Sequence, residues 1–284
     1  MWKNDSKAIK ATLDRVRARC DNEARLRADP VGIVHRYEDP LDQEIVGLVA
    51  ACIAFGNVKT IRSKLEEALA RIGERPADAG DDGPALIKRM SGWKHRVFLG
   101  EDIAKLVIGA RIVQKRHGSL GARFKLDWDE TSDLKESLAR FVDAIRDAGK
   151  LHTGKSGRRG PAHLLGSPRA GSACKRLMLY LRWMVRPADG IDFGLWPISP
   201  SILLLPVDTH IHKLSRNLGF TRRHDLSWKT AEEIAAALAV FDRKDPAKYD
   251  FALCHLGMLQ RCPSRRDAAR CEGCGVQPVC RHWR

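Results

Sequence analysis

The sequence is short of negative charge. Among 284 residues, 35 Asp and Glu stand against 50 Lys and Arg, a formal net charge of +15 at pH 7. From Gly149 to Ala188 there is no acidic residue, against nine Lys or Arg. That imbalance favours a polyanionic partner, because clustered cations that neutralise phosphates release the counterions condensed on them. A membrane surface would attract the same charge, but no helical segment joins a wholly basic polar face to bulky aromatic anchors. No apolar run approaches the roughly 20 residues needed to span a bilayer, and the opening "MWKNDSKAIKATLDRVRARC" has no apolar signal core. A cytoplasmic, nucleoid-associated chain without membrane contact is expected. Nothing in the sequence signals oligomerisation, so a monomer is expected.

Strand-like alternation is also lacking, and there is no internal repeat. Helical periodicity takes their place. In "DPLDQEIVGLVAACIAF", Asp39 suits an N-cap and Pro40 the first helical position, with Ile45, Leu48, Val49 and Cys52 on one face. "TIRSKLEEALARIG" repeats the pattern through Ile61, Leu65, Ala68, Leu69 and Ile72 and stops at Gly73. "EDIAKLVIGARIVQKRHG", "SDLKESLARFVDAIRDAG", "SACKRLMLYLRWMV", "DTHIHKLSRNLGF", "WKTAEEIAAALAVF" and "DPAKYDFALCHLG" follow. The expected fold is all-α with at least eight helices. Residues 74–84, 152–161 and 186–201 are expected as loops, the last an irregular connector of the kind that often carries function.

Eight cysteines are present, and four fall within residues 262–280: Cys262, Cys271, Cys274 and Cys280, spaced C-x8-C-x2-C-x5-C. In a reducing compartment such a cluster reads as metal ligands before disulfides. Four thiolates suit a structural zinc ion or a [4Fe–4S] cluster equally well on spacing alone. Cys20, Cys52, Cys174 and Cys254 are scattered and read as small buried hydrophobes.

Two further residues stand at helix beginnings. In "RAGSACKRLMLYLRWMV", Ser172 suits the N-cap and Lys175 the first turn. Backbone N–H groups at a helix start bind phosphate, and its partial positive charge favours a neutral, nucleophilic amine. In "LLLPVDTHIHKLSRNLGF", Asp208 suits the N-cap of the next helix, where a carboxylate fixed beside a sugar would stabilise oxocarbenium character as a glycosidic bond breaks. His210 and His212 read as packing residues or phosphate contacts.

In this order, a glycine turn with a lysine, an aspartate at a helix start and a C-terminal four-cysteine clamp resemble the helix-hairpin-helix DNA glycosylase superfamily of the endonuclease III type. "GSACK" resembles that family's hairpin G-x-G-x-K, and "VDTHIHK" its V-D-T-H-[I/V]-x-R; "DPVGIVHRYEDPLDQEIVGLVAACIAF" is similar to its opening helix. The resemblance covers most of the chain, and "SACKRLMLYLRWMV" looks like a bacterial branch of unassigned function. It implies two helical lobes, 41–185 and 1–40 plus 186–284, with the hairpin motif between them and a C-terminal [4Fe–4S] loop; zinc is the alternative. It implies a glycosylase, with associated lyase activity, that excises a damaged base from double-stranded DNA in base excision repair. Lys175 would attack C1′ and Asp208 would assist departure of the base. Arg169, Gly171, Ser172, Ala173 and Arg176 would meet the DNA backbone, with the basic stretch 149–186 gripping phosphates. The four clustered cysteines would hold the cluster. Trp183 or Trp196 would line the base pocket, and the "AFGN" turn at 54–57 would wedge into the gap the base leaves. Ala173 departs from the pattern's second glycine, and the first cysteine spacer is longer than that of endonuclease III. The alternative is a nucleic-acid reader of the same fold without chemistry, or a zinc-bound helical adaptor.

Overall fold

The computed structural model describes residues 6–152 and 157–283. The fold is all-α: sixteen α-helical segments and four short 3-10 turns, with one pair of two-residue strands among the described residues. Several helices are single turns, such as Pro76–Ala79, which Pro76 opens inside the segment expected as loop 74–84. Residues 153–156, within the basic loop expected at 152–161, lie outside the described residues. Among the described residues no helix is long and apolar enough to cross a membrane.

The chain divides into two compact units: residues 26–170 with 183–198, and residues 1–25 with 171–182 and 199–284. These boundaries differ from 41–185 and 1–40 plus 186–284. Residues 171–173 pair with 226–228, which draws the hairpin segment into the unit that holds the C-terminal cysteines.

In the first unit the helix Pro40–Ile53 is central. Asp39 caps it by accepting from the Leu41 N–H at 2.8 Å, and Pro40 opens it, as expected. Every residue from Glu44 to Ile53 is buried, so the helix is enclosed all round and not merely along one apolar stripe. Val58–Ile72 follows the expected pattern, burying Ile61, Leu65, Ala68, Leu69 and Ile72 and closing at Gly73. The helices Gly100–His117 and Leu134–Ala148 touch backbone to backbone: a Cβ on Gly109 would lie 2.2 Å from the Ile145 carbonyl oxygen.

A buried carboxylate organises this core. Glu44, at 2 % exposure, accepts four hydrogen bonds. They come from Gln114 Nε2 at 2.9 Å, the N–H groups of Leu120 and Gly121 at 2.8 and 2.9 Å, and Trp196 Nε1 at 2.8 Å. The Leu120 and Gly121 amides open the helix Leu120–Thr131 and have no partner inside it. Burial pushes the Glu44 carboxyl up from its ordinary range, and the four donors oppose that shift.

The strands Lys94–His95 and Phe98–Leu99 form a small hairpin in this unit. His95, 3 % exposed, packs beside Phe55 at 5.3 Å and Trp93 at 6.4 Å. Burial, with the nearby Arg96 cation, holds the His95 pKa below the usual histidine range.

In the second unit, Ser6–Ala18 buries Ile9, Thr12, Leu13 and Val16. Tyr249 Oη donates to Asp14 at 2.9 Å. The Arg182 guanidinium meets the Asp250 carboxylate at 2.5 Å with both side chains buried, and Arg182 also covers the Phe251 ring.

Two outcomes follow for stability. Glu44→Gln keeps shape but turns an amide NH2 toward N–H donors, and the conflict should cost about 2 kcal/mol in urea unfolding. For His95 the folded pKa lies below the unfolded one, so its contribution is full above about pH 6.5 and is lost as the pH falls through the folded pKa. Urea midpoints should therefore decline on acidification below that value, and His95→Phe should flatten that part of the profile.

Candidate active site and cysteine cavity

The segment 171–175 is a tight, paired turn. Gly171 adopts φ +80° and its carbonyl accepts from the Trp228 N–H at 2.9 Å, while the Ala173 N–H donates to the Leu226 carbonyl at 3.1 Å. These bonds bracket an antiparallel bridge between Ser172 and Ser227. Ala173 is 2 % exposed, so the site accommodates its methyl group. Its amide is spent on this pairing and is not presented to a phosphate, contrary to the sequence expectation. In such a bridge the Ser172 N–H points away from the paired strand.

The helix begins two residues later than Ser172 would place it. Cys174, at φ +47°, occupies the cap position and its carbonyl accepts from Met178 at 2.9 Å. Ser172 Oγ instead accepts from the Cys174 N–H at 3.3 Å. Lys175 is thus the first residue of the helix Lys175–Val185, half-buried, with Arg176 beside it. Cys174 is a strained turn residue, not the helix-packing hydrophobe its sequence position suggests; Cys52, 1 % exposed, is one.

Asp208 stands where its sequence places it. It is the N-cap of Thr209–Leu218, and its Oδ1 accepts from the N–H groups of His210 and Ile211, both at 2.9 Å. The residue is half-buried. Lys175 and Asp208 belong to the same compact unit, each at the start of a helix. His212 is a packing residue, its Nε2 3.0 Å from the Arg223 carbonyl oxygen.

The four clustered cysteines meet. Cys262, Cys271, Cys274 and Cys280 all line one small cavity of about 20 Å³, walled also by Leu214 and Val276. None of the eight cysteines forms a disulfide. Asn217 Nδ2 donates to Cys262 Sγ at 3.2 Å and to the Pro263 carbonyl at 3.2 Å, and the backbone at Val276 and Gln277 hydrogen-bonds to the Cys274 thiol. Burial pushes the thiols of Cys262 and Cys274 up. Among the described residues no three Cys, His, Asp or Glu side chains converge as ligands of a single ion; the thiols ring a space instead.

Other expected contacts are differently employed. Arg169, in the other unit, binds Glu136 at 2.9 Å and Asp143 at 2.5 Å. Arg158 binds Asp102, and Arg182 and Arg186 are buried against Asp250 and Asp192. Four cations of the acid-free stretch are therefore neutralised by carboxylates from elsewhere in the chain. Trp183 and Trp196 are core residues, at 0 % and 3 % exposure, and line no base pocket. Trp196 stacks on Phe124 and bonds Glu44. In the 54–57 turn, Phe55 packs against Phe98 and His163, and Asn57 caps the following helix.

Residues 29–259 match the family described as "Protein of unknown function (DUF2400)", and the chain belongs to that family. The matched stretch includes Lys175 and Asp208 and stops three residues before Cys262. Comparison with curated proteins and with solved structures finds no match.

The cap role of Asp208 is separable from any chemistry. Asp208→Ala should lower stability by about 1 kcal/mol, whereas Asp208→Asn, which keeps the accepting oxygen, should stay within a few tenths, both read by thermal unfolding.

Proposed function

We propose that this protein is an iron–sulfur DNA glycosylase with associated lyase activity, acting on a damaged base in duplex DNA. The observation that carries the reading is the composition of one unit: a lysine and an aspartate, each opening a helix, in the same compact body as four cysteines around one cavity. Cysteine residues 262, 271, 274 and 280 would hold a [4Fe–4S] cluster. The donor set fits: four sulfurs line one cavity, and two of them accept amide hydrogen bonds. Bound there, the cluster would pin the C-terminal loop.

The chemistry belongs to the chain's own side chains. A damaged base is unstacked at a cost of a few kcal/mol and exposes C1′. The lone pair of the Lys175 amine forms a bond to C1′ as the C1′–N bond breaks, and the base leaves with the electron pair of the broken bond and takes up the proton that the amine gives up. The Asp208 carboxylate, fixed by two backbone amides, stabilises the positive charge that develops on the sugar. Opening of the sugar ring then leaves an imine on Lys175, the intermediate of strand cleavage.

A non-catalytic nucleic-acid reader of the same fold is the second reading, and the commitment of the Ala173 amide to Leu226 favours it. Borohydride treatment of the protein mixed with abasic-site duplex separates the two. The enzyme should yield a covalent adduct that Lys175→Ala abolishes, and Asp208→Asn should retain DNA binding while losing base release across a lesion panel. Binding without adduct or release would leave the reader. Purified protein should be brown, and Cys271→Ser should bleach it; colourless protein carrying zinc would remove the cluster from the proposal.

A further inference from the structure

A second concavity in the same unit is lined only by neutral and cationic residues. Its volume is about 260 Å³, and Lys213, Arg216, Arg222 and Arg281 face it, with Ser264 and His282 at its wall and no carboxylate among its lining residues. We infer that this cavity is a phosphate-binding site, separate from the helix starts at Lys175 and Asp208, that takes a phosphodiester or polyphosphate group.

The charge pattern carries the inference. Three arginines elsewhere in this unit find acids: Arg182 meets Asp250, Arg223 meets Asp225, and Arg270 meets Asp267. No carboxylate of the described residues pairs with any of the four cations of the cavity. Four like charges around one hollow repel one another, and the C-terminus of Thr209–Leu218, where Arg216 lies, offers only about half a negative charge in return. A multiply charged anion is the complement that offsets the repulsion.

The cations are also held in place. The Arg281 guanidinium lies on Gly219, so close that a Cβ there would be 2.4 Å from Nη2; Gly219 ends the helix at φ +81°. The Arg281 N–H donates to the Asn217 carbonyl at 2.8 Å. Arg216 Nη2 sits 3.3 Å from His224 Nε2. Planar guanidiniums set around a hollow match phosphate oxygens in pairs.

The phosphate could be carried by a nucleic-acid backbone or by a free polyphosphate, and the test distinguishes them. The full chain is titrated with a short undamaged duplex by fluorescence anisotropy and with inorganic tripolyphosphate by calorimetry. Arg216→Gln/Arg222→Gln is compared with Arg243→Gln/Lys244→Gln, which removes the same charge from an exposed loop of the same unit. The cavity variant should bind about tenfold more weakly, and its salt dependence on the duplex should lose about two units of slope, against little change in the control. Loss on the duplex identifies a backbone site; loss confined to tripolyphosphate identifies a free-phosphate site. Equal losses in the two variants on both probes, or no loss in either, overturn the inference. Should the first variant not fold, Lys213→Gln/Ser264→Ala, both exposed, takes its place. None of these readouts depends on base release.

Discussion

Four hydrogen bonds converging on the Glu44 carboxylate tie three distant stretches of chain together. A carboxylate buried in an apolar core is costly unless its lone pairs are used. Here the donors are supplied by the amides that open one helix, a glutamine on another, and the indole of the 186–201 connector. The irregular connector is therefore anchored at Trp196, whose ring also fills the space between Phe124 and Phe141. The same helix buries a second carboxylate, Asp42, which accepts from the Ala77 N–H at 2.7 Å.

The other unit uses helix beginnings for a different purpose. Asp208 satisfies two backbone amides that the helix leaves unpaired, and in doing so holds a carboxylate at a half-buried position. Lys175 opens another helix after a turn whose Ala173 amide is spent on pairing. The cysteine cavity and the cationic cavity share a wall in Asn217, whose side chain reaches Cys262 and whose carbonyl holds Arg281.

What the sequence made legible was local. The Asp39 and Asp208 caps, the apolar stripe from Ile61 to Ile72 and the glycine helix ends all depend on residues within a turn or two of each other. The meeting of the four cysteines was legible because their spacing is short. What was not legible depends on partners far along the chain. An acid-free stretch looks like a phosphate grip until Asp102, Glu136, Asp143 and Asp250 arrive from elsewhere to neutralise it. Trp196 looked like a pocket residue because an irregular connector gives no periodicity from which to read burial. The strands at 94–95 and 98–99 are too short to show alternation, and although Ser119 caps the helix Leu120–Thr131 locally, its first two amides are held by Glu44, seventy-six residues before Leu120. The Ala173 amide was misread because its acceptor, Leu226, is equally remote.

The contact between Gly121 and Trp196 has an evolutionary consequence. A Cβ at 121 would fall 2.4 Å from the indole, so no side chain can enter there while the tryptophan remains. A smaller ring at 196 would leave a hollow and remove one of the two donors to Glu44 Oε1. Descendants of this chain can thus alter 44, 121 and 196 only in concert, and related sequences should show the three positions drifting together as one inherited unit.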